Sequence, residues 1–194
     1  MKKIILITGG ERSGKSMYAE KLALSLSDTP VYLATARIWD EEFRQRVRIH
    51  RERRGPQWTN IEEEKYLSRH DLTGRTVLVD CITLWATNFF FDRSRQPDTS
   101  SSHPSDTVES LQARQGIRQV EETLQAVKDE FLRLTAQDAT FIFVTNEIGM
   151  GGVSANDVQR RFSDLLGWTN QFVASQADEV YLMVSGIPVK IKQT

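Results

Sequence analysis

The chain has 194 residues, with 25 Lys and Arg against 26 Asp and Glu, a formal net charge of -1, and 39% hydrophobic and 26% charged side chains. That length predicts one compact domain over residues 1–194, and the balanced charge argues against a nucleic-acid binder working through its overall field, so any basic site must be local. A lone cysteine, Cys81, excludes an internal disulfide, and the absence of a long apolar run predicts a cytoplasmic protein with no signal peptide and no stable membrane insertion.

In chain order, Ile4 to Thr8 is the first of five aliphatic and β-branched runs; the others are Val31 to Ala34, Thr76 to Val79, Phe141 to Thr145 and Val180 to Val184. Continuous rather than alternating apolar runs predict strands buried on both faces. Ser16 to Leu26 repeats Tyr18, Leu22 and Leu26 at helical spacing. A polar helix is expected to end at His70, before Asp71 and Gly74. Ile117, Val120, Leu124, Val127, Phe131 and Leu134 form a longer helical stripe, and Val158, Phe162, Leu165, Thr169 and Phe172 a third. Strands alternating with helices give an α/β fold with a mostly parallel sheet flanked by helices. Residues 93–107, RSRQPDTSSSHPSDT, carry two prolines, five serines and no aliphatic or aromatic side chain, which predicts a mobile surface loop within the domain.

Gly9-Gly10-Glu11-Arg12-Ser13-Gly14-Lys15-Ser16 matches G-x-x-x-x-G-K-[ST] between the first strand and the first helix. Its glycines let the backbone turn so that successive N–H groups meet phosphate oxygens at a helix N-terminus. Lys15 is expected on the terminal phosphates of a nucleotide such as ATP or GTP and Ser16 on Mg²⁺. Asp80, at the end of a neighbouring strand, is the expected second metal residue, or else a helix N-cap. Glu147 ends the strand that runs into Thr145 and Asn146, with activator, metal-associated and structural roles all open.

The local basic site lies at Arg44, Arg46, Arg48, Arg51, Arg53 and Arg54, six guanidinium groups in eleven residues. On a helix Phe43, Val47 and His50 share one face, and an imidazole among cations stays neutral and nucleophilic. Composition alone favours a solvated basic helix with one partly buried histidine. His103 and His70 have no evident chemical setting, and the scattered histidines with one cysteine argue against zinc.

The order of GGERSGKS, YLATARI from Tyr32, RVRIHRERRGPQW from Arg46, VDCITLWATN from Val79, VTNEIGMGGV from Val144, and NQFVASQADEVYLMVSGIPVKIK from Asn170 resembles the bifunctional adenosylcobinamide kinase and adenosylcobinamide-phosphate guanylyltransferase family of cobalamin biosynthesis. The likeness runs almost end to end, except at residues 93–115. It implies a RecA-like P-loop NTPase fold, a homotrimer, and two reactions: phosphorylation of adenosylcobinamide by ATP or GTP, then GMP transfer from GTP to its phosphate through a histidine-bound GMP. His50 holds the position of that histidine, which reverses the reading from composition. The nucleotide-binding positions implied are Gly9 to Ser16, Ala34, Thr35, Ala36, Arg51, Glu52, Arg53, Arg54, Glu62 and Asp80, with Ser16 and Asp80 toward the metal. Asp80 stands where relatives also carry Glu, and Ser154 where many have Pro.

Two rivals are weighed against this. A RecA-like ATPase stimulated by nucleic acid would use the arginines as its contact, but the charge is balanced and no aromatic residues alternate with them. A guanine-nucleotide switch would carry an Asn-Lys-x-Asp element where this chain has Thr145-Asn146-Glu147-Ile148.

Overall fold

The computed structural model describes residues 2–41, 44–45, 48, 54–93 and 107–193, the side chains at 93 and 108–112 excepted. His50, Arg46, Arg51, Glu52 and Arg53, the face formed by Phe43 and Val47, and residues 94–106 of the polar stretch with His103 lie outside the described residues.

Seven strands form one sheet: β1 (Lys3–Gly9), β2 (Val31–Ala34), β3 (Thr59–Glu62), β4 (Thr76–Asp80), β5 (Thr140–Val144), β6 (Glu179–Val184) and β7 (Ile187–Gln193), in the order β3-β2-β4-β5-β1-β6-β7. Every neighbouring pair is parallel except β6 with β7. The apolar runs read from sequence therefore occupy the centre, where both faces are covered. Ile4, Leu6, Val79, Phe141 and Phe143 point to one side, and Ile5, Ile7, Leu78, Ile142 and Val144 to the other.

The first side is covered by α2 (Ile82–Arg93), α3 (Val108–Thr135) and α4 (Asp157–Gln176). Trp85, Val127, Phe131, Leu134, Leu166 and Val173 from these helices are fully buried in this core. The second side is covered by α1 (Lys15–Leu26) with Trp58.

The helices form where their periodicity places them, but each turns a slightly different face inward. In α1 the buried residues are Lys15, Ala19 and Ala23, whereas Leu26 is 47% exposed. Tyr18 and Leu22 pack only at the margin. A helix joined to a strand end by a five-residue loop lies close to the sheet, and alanine permits that approach. In α3, Val120, Thr123, Val127, Glu130, Phe131 and Leu134 are buried. Ile117 is 60% exposed, because Gly116 one residue earlier takes the inward position against Arg161. Val158 likewise remains at the surface in the first turn of α4.

The polar helix expected before His70 is absent. Leu67–Arg69 makes a single 3₁₀ turn, with Leu67 its buried anchor and Ser68 N–H donating to the buried Glu130 carboxylate at 2.8 Å. Two strands that alternate poorly or face solvent, β3 and β7, have no counterpart among the apolar runs. β7 returns through Ser185 (φ 50°) and Gly186 (φ 83°), a two-residue turn with both residues left-handed, which suits a tight hairpin.

Candidate functional site

Parallel registry brings separate sequence segments onto one line at the carboxyl end of the sheet. Glu62 on β3 is in register with Ala34 on β2, Ala34 with Asp80 on β4, Asp80 with Val144 on β5, and Val144 with Ile7 on β1. The phosphate loop starts two residues beyond Ile7. Neighbouring strands are spaced by about 4.8 Å, so Asp80 lies roughly 10 Å from β1 across the sheet.

The loop is held by backbone. Gly9 adopts φ 153°, and a Cβ there would stand 2.7 Å from the carbonyl oxygen of Met183. Gly14, immediately before α1, adopts φ 92°, and its Cβ would meet the Cα of Gly186 at 3.2 Å. Ser13 carbonyl accepts from Gly186 N–H at 3.0 Å, so the β6–β7 turn buttresses the loop. Glu147 N–H donates to Gly9 carbonyl at 3.0 Å, tying the end of β5 to the loop's first residue.

Lys15 is 7% exposed. Its Nζ donates to Gly10 carbonyl at 2.5 Å and lies 3.5 Å from Ser13 Oγ. Burial lowers its pKa from the usual lysine value, and Cys81, Asp80 and Glu11 act in the opposite direction. Asp80 is thus among the charges that act on this ammonium. Burial, followed by the Asp80 charge, pushes the Cys81 thiol up to about 12, which leaves it an inert, protonated group.

Asp80 accepts from the Tyr32 hydroxyl through Oδ2 at 2.6 Å; among the described residues Oδ1 accepts no hydrogen bond. Thr35, fully buried, closes the other flank. Its N–H donates to Asp80 carbonyl at 3.1 Å, while its hydroxyl accepts from Cys81 N–H at 2.9 Å and donates to Cys81 carbonyl at 2.8 Å. The Thr35 side chain is therefore committed to holding the β4 end. Glu62 is exposed at the tip of β3. Arg54 lays its guanidinium 3.5 Å from the centroid of the Tyr32 ring and donates through Nε to Asn60 Oδ1 at 2.9 Å. Arg44 pairs at the surface with Glu41. Glu147 Oε1 accepts from Gly149 N–H at 3.0 Å, a structural engagement.

Several supporting residues lie inside the motif strings, but their roles were not assigned from the sequence. Asn88 is buried and donates to both Thr35 carbonyl (2.8 Å) and Glu64 carbonyl (2.9 Å), joining the chain beyond β2 to that beyond β3. Thr145 donates to Asn170 Oδ1 at 2.7 Å, and Asn170 donates to Asn146 carbonyl at 3.0 Å, fixing the end of β5 from α4.

A phosphate loop between β1 and α1, with β5 inserted between it and the strand ending in Asp80, defines a P-loop protein of the RecA-like α/β class. More particularly, residues 5–191 match the sequence profile of the cobinamide kinase / cobinamide phosphate guanyltransferase family, and the chain belongs to that family of transferases. It is 37% identical over 197 residues to the bifunctional adenosylcobalamin biosynthesis protein CobU of Escherichia coli, covering 97% of this chain and 99% of that protein. It is 33% identical over 192 residues to the bifunctional adenosylcobalamin biosynthesis protein CobP of Pseudomonas aeruginosa, covering 96% of each. Among solved structures it is similar to the flagellar accessory protein FlaH of Methanocaldococcus jannaschii, at 14% identity and a TM-score of 0.46, covering 99% of this chain and 79% of that one. Among the described residues no helix is long and apolar enough to cross a membrane.

Proposed function

We propose that the chain phosphorylates the aminopropanol hydroxyl of adenosylcobinamide with ATP or GTP, then transfers GMP from GTP to the resulting phosphate, giving adenosylcobinamide-GDP and pyrophosphate. The observation that carries this reading is a phosphate loop between β1 and α1, with its buried Lys15, and Asp80 ending β4 two strands away, in a chain matched to the family from residue 5 to 191. The homotrimer implied by the resemblance and a cytoplasmic setting belong to the same proposal.

The donor set suits Mg²⁺. Ser16 hydroxyl and Asp80 carboxylate are hard oxygen donors, and among the described residues no group of three His, Cys, Asp or Glu side chains forms a cage. A site of one or two protein oxygens completed by phosphates and water is the usual one for this ion. Bound there, Mg²⁺ would offset charge on the phosphate oxygens.

The loop's backbone N–H groups and the start of α1 receive the phosphates. Lys15 then exchanges a neutral acceptor, Gly10 carbonyl, for an anionic one, a stronger charge-assisted bond. In the first reaction the substrate hydroxyl attacks the γ-phosphorus and the nucleoside diphosphate leaves. In the second, neutral His50 attacks the α-phosphorus of GTP: an N–P bond forms, the bond to the β-phosphate oxygen breaks, and pyrophosphate leaves from the loop. An oxygen of adenosylcobinamide phosphate then displaces the imidazole. Arg54, with Arg51 and Arg53, balances charge at the nucleotidyl group. Arg54 follows His50 by four positions, a chain span of at most about 14 Å.

His50→Ala tests the reading. With γ-labelled and α-labelled GTP assayed in parallel, the variant is expected to retain substantial phosphorylation and lose GMP transfer. Normal GMP transfer by the variant would contradict the histidine's role.

A further inference from the structure

We infer that Tyr32 is a positioning residue that couples the Asp80 carboxylate to the basic segment, an inference that rests on the reading of Asp80 as the metal-side carboxylate. Three contacts on one buried ring carry it. The Tyr32 side chain, in a residue only 4% exposed, donates from its hydroxyl to Asp80 Oδ2 at 2.6 Å. The Arg54 guanidinium stacks on the ring face at 3.5 Å. Trp58 packs edge-on with ring centroids 5.9 Å apart and planes at 77°. Tyr32 thus touches β4 at the crevice with one end, while its ring carries two residues of the segment that follows His50.

A tyrosine serving the core alone needs one partner for its hydroxyl, and any backbone carbonyl satisfies it. Here the partner is a carboxylate at a strand end, and the bond occupies Oδ2 and not Oδ1. Arg54, which follows His50, Arg51 and Arg53 in the sequence, is held by the ring and by Asn60. The ring and the hydroxyl therefore have separable effects: the hydroxyl orients Asp80, and the ring orients Arg54.

Tyr32→Phe removes only the hydroxyl. Binding of Mn²⁺ to the full chain, measured by electron paramagnetic resonance with a non-hydrolysable GTP analogue, should need about five- to tenfold more Mn²⁺ for half-saturation, the loss of one charge-assisted bond. At saturating Mg²⁺ both reactions should stay within about twofold of wild type. Tyr32→Leu removes the stacking too, and should lower GMP transfer by at least about tenfold relative to phosphorylation. Thermal unfolding of both variants reports the folded fraction, and Tyr32→Phe keeps the ring's volume. Asp80→Asn separates the two levels of the proposal. If it binds Mn²⁺ as wild type does, the metal reading of Asp80 fails and this inference with it. If Asp80→Asn weakens Mn²⁺ binding and Tyr32→Phe does not, the coupling role alone is overturned.

Discussion

The two sides of the crevice are held by different means. On the phosphate-loop side, the fixing contacts are backbone to backbone: Gly9 carbonyl with Glu147 N–H, Ser13 carbonyl with Gly186 N–H, and left-handed φ at Gly14. On the β2 side they are side chains: Tyr32 on Asp80, Arg54 on Tyr32, and Asn88 on the carbonyls of Thr35 and Glu64. A backbone cradle fits any polyphosphate and serves both proposed reactions alike. A side-chain lattice can be altered one group at a time, so it is where the two reactions should come apart.

The largest effect is expected from Lys15→Ala. Removing the cation from the loop should slow phosphorylation and GMP transfer together, by about 10²- to 10³-fold, with folding stability unchanged or raised because a buried ammonium is lost. Selective loss of one reaction would contradict a shared loop. Gly14→Ala places a Cβ 3.2 Å from Gly186 Cα at φ 92°, and should cost about 1–3 kcal/mol in thermal unfolding while depressing both reactions equally.

Asn88→Leu addresses the other side. Two carbonyls lose their donor, for an expected loss of about 1–3 kcal/mol in urea unfolding. Because Asn88 spans the ends beyond β2 and β3, GMP transfer should fall further than phosphorylation. Equal falls would break the contrast between the two sides.

The smallest effect lies away from the crevice, at the start of β6. The bond from Lys3, then that from Tyr181, and the further bond from Lys190 hold the Glu179 carboxyl at about 2 rather than the usual 4.5. A carboxyl lowered in the folded state contributes fully above about pH 4.5 and loses that contribution as pH falls toward 2. Glu179→Gln should flatten the acid limb of a melting-temperature profile in that window and leave both activities at neutral pH unchanged.

The contrast between the two sides also explains what the sequence revealed. The phosphate loop is legible because backbone geometry demands glycines at fixed spacing, and Asp80 because it closes an apolar run. The central strands are legible because burial on both faces requires unbroken apolar residues. The roles of Tyr32, Asn88 and Asn170 were not, although all three stand in the motif strings, since each acts on a residue 24 or more positions away through contacts that the folded sheet creates. α1 misled in detail: its leucines and tyrosine mark the helix, but the close approach to the sheet selects Ala19 and Ala23. The exposed strand β7 lacked the apolar signature and had no counterpart among the predicted strands.

The central claim, one crevice transferring two different groups with GMP carried on His50, is tested most directly by incubating the full chain with α-labelled GTP and Mg²⁺ and mapping the modified residue. The account predicts an acid-labile, base-stable label on His50 that is discharged when adenosylcobinamide phosphate is added. No label on His50 while GMP transfer proceeds, or a label on another residue, would contradict it.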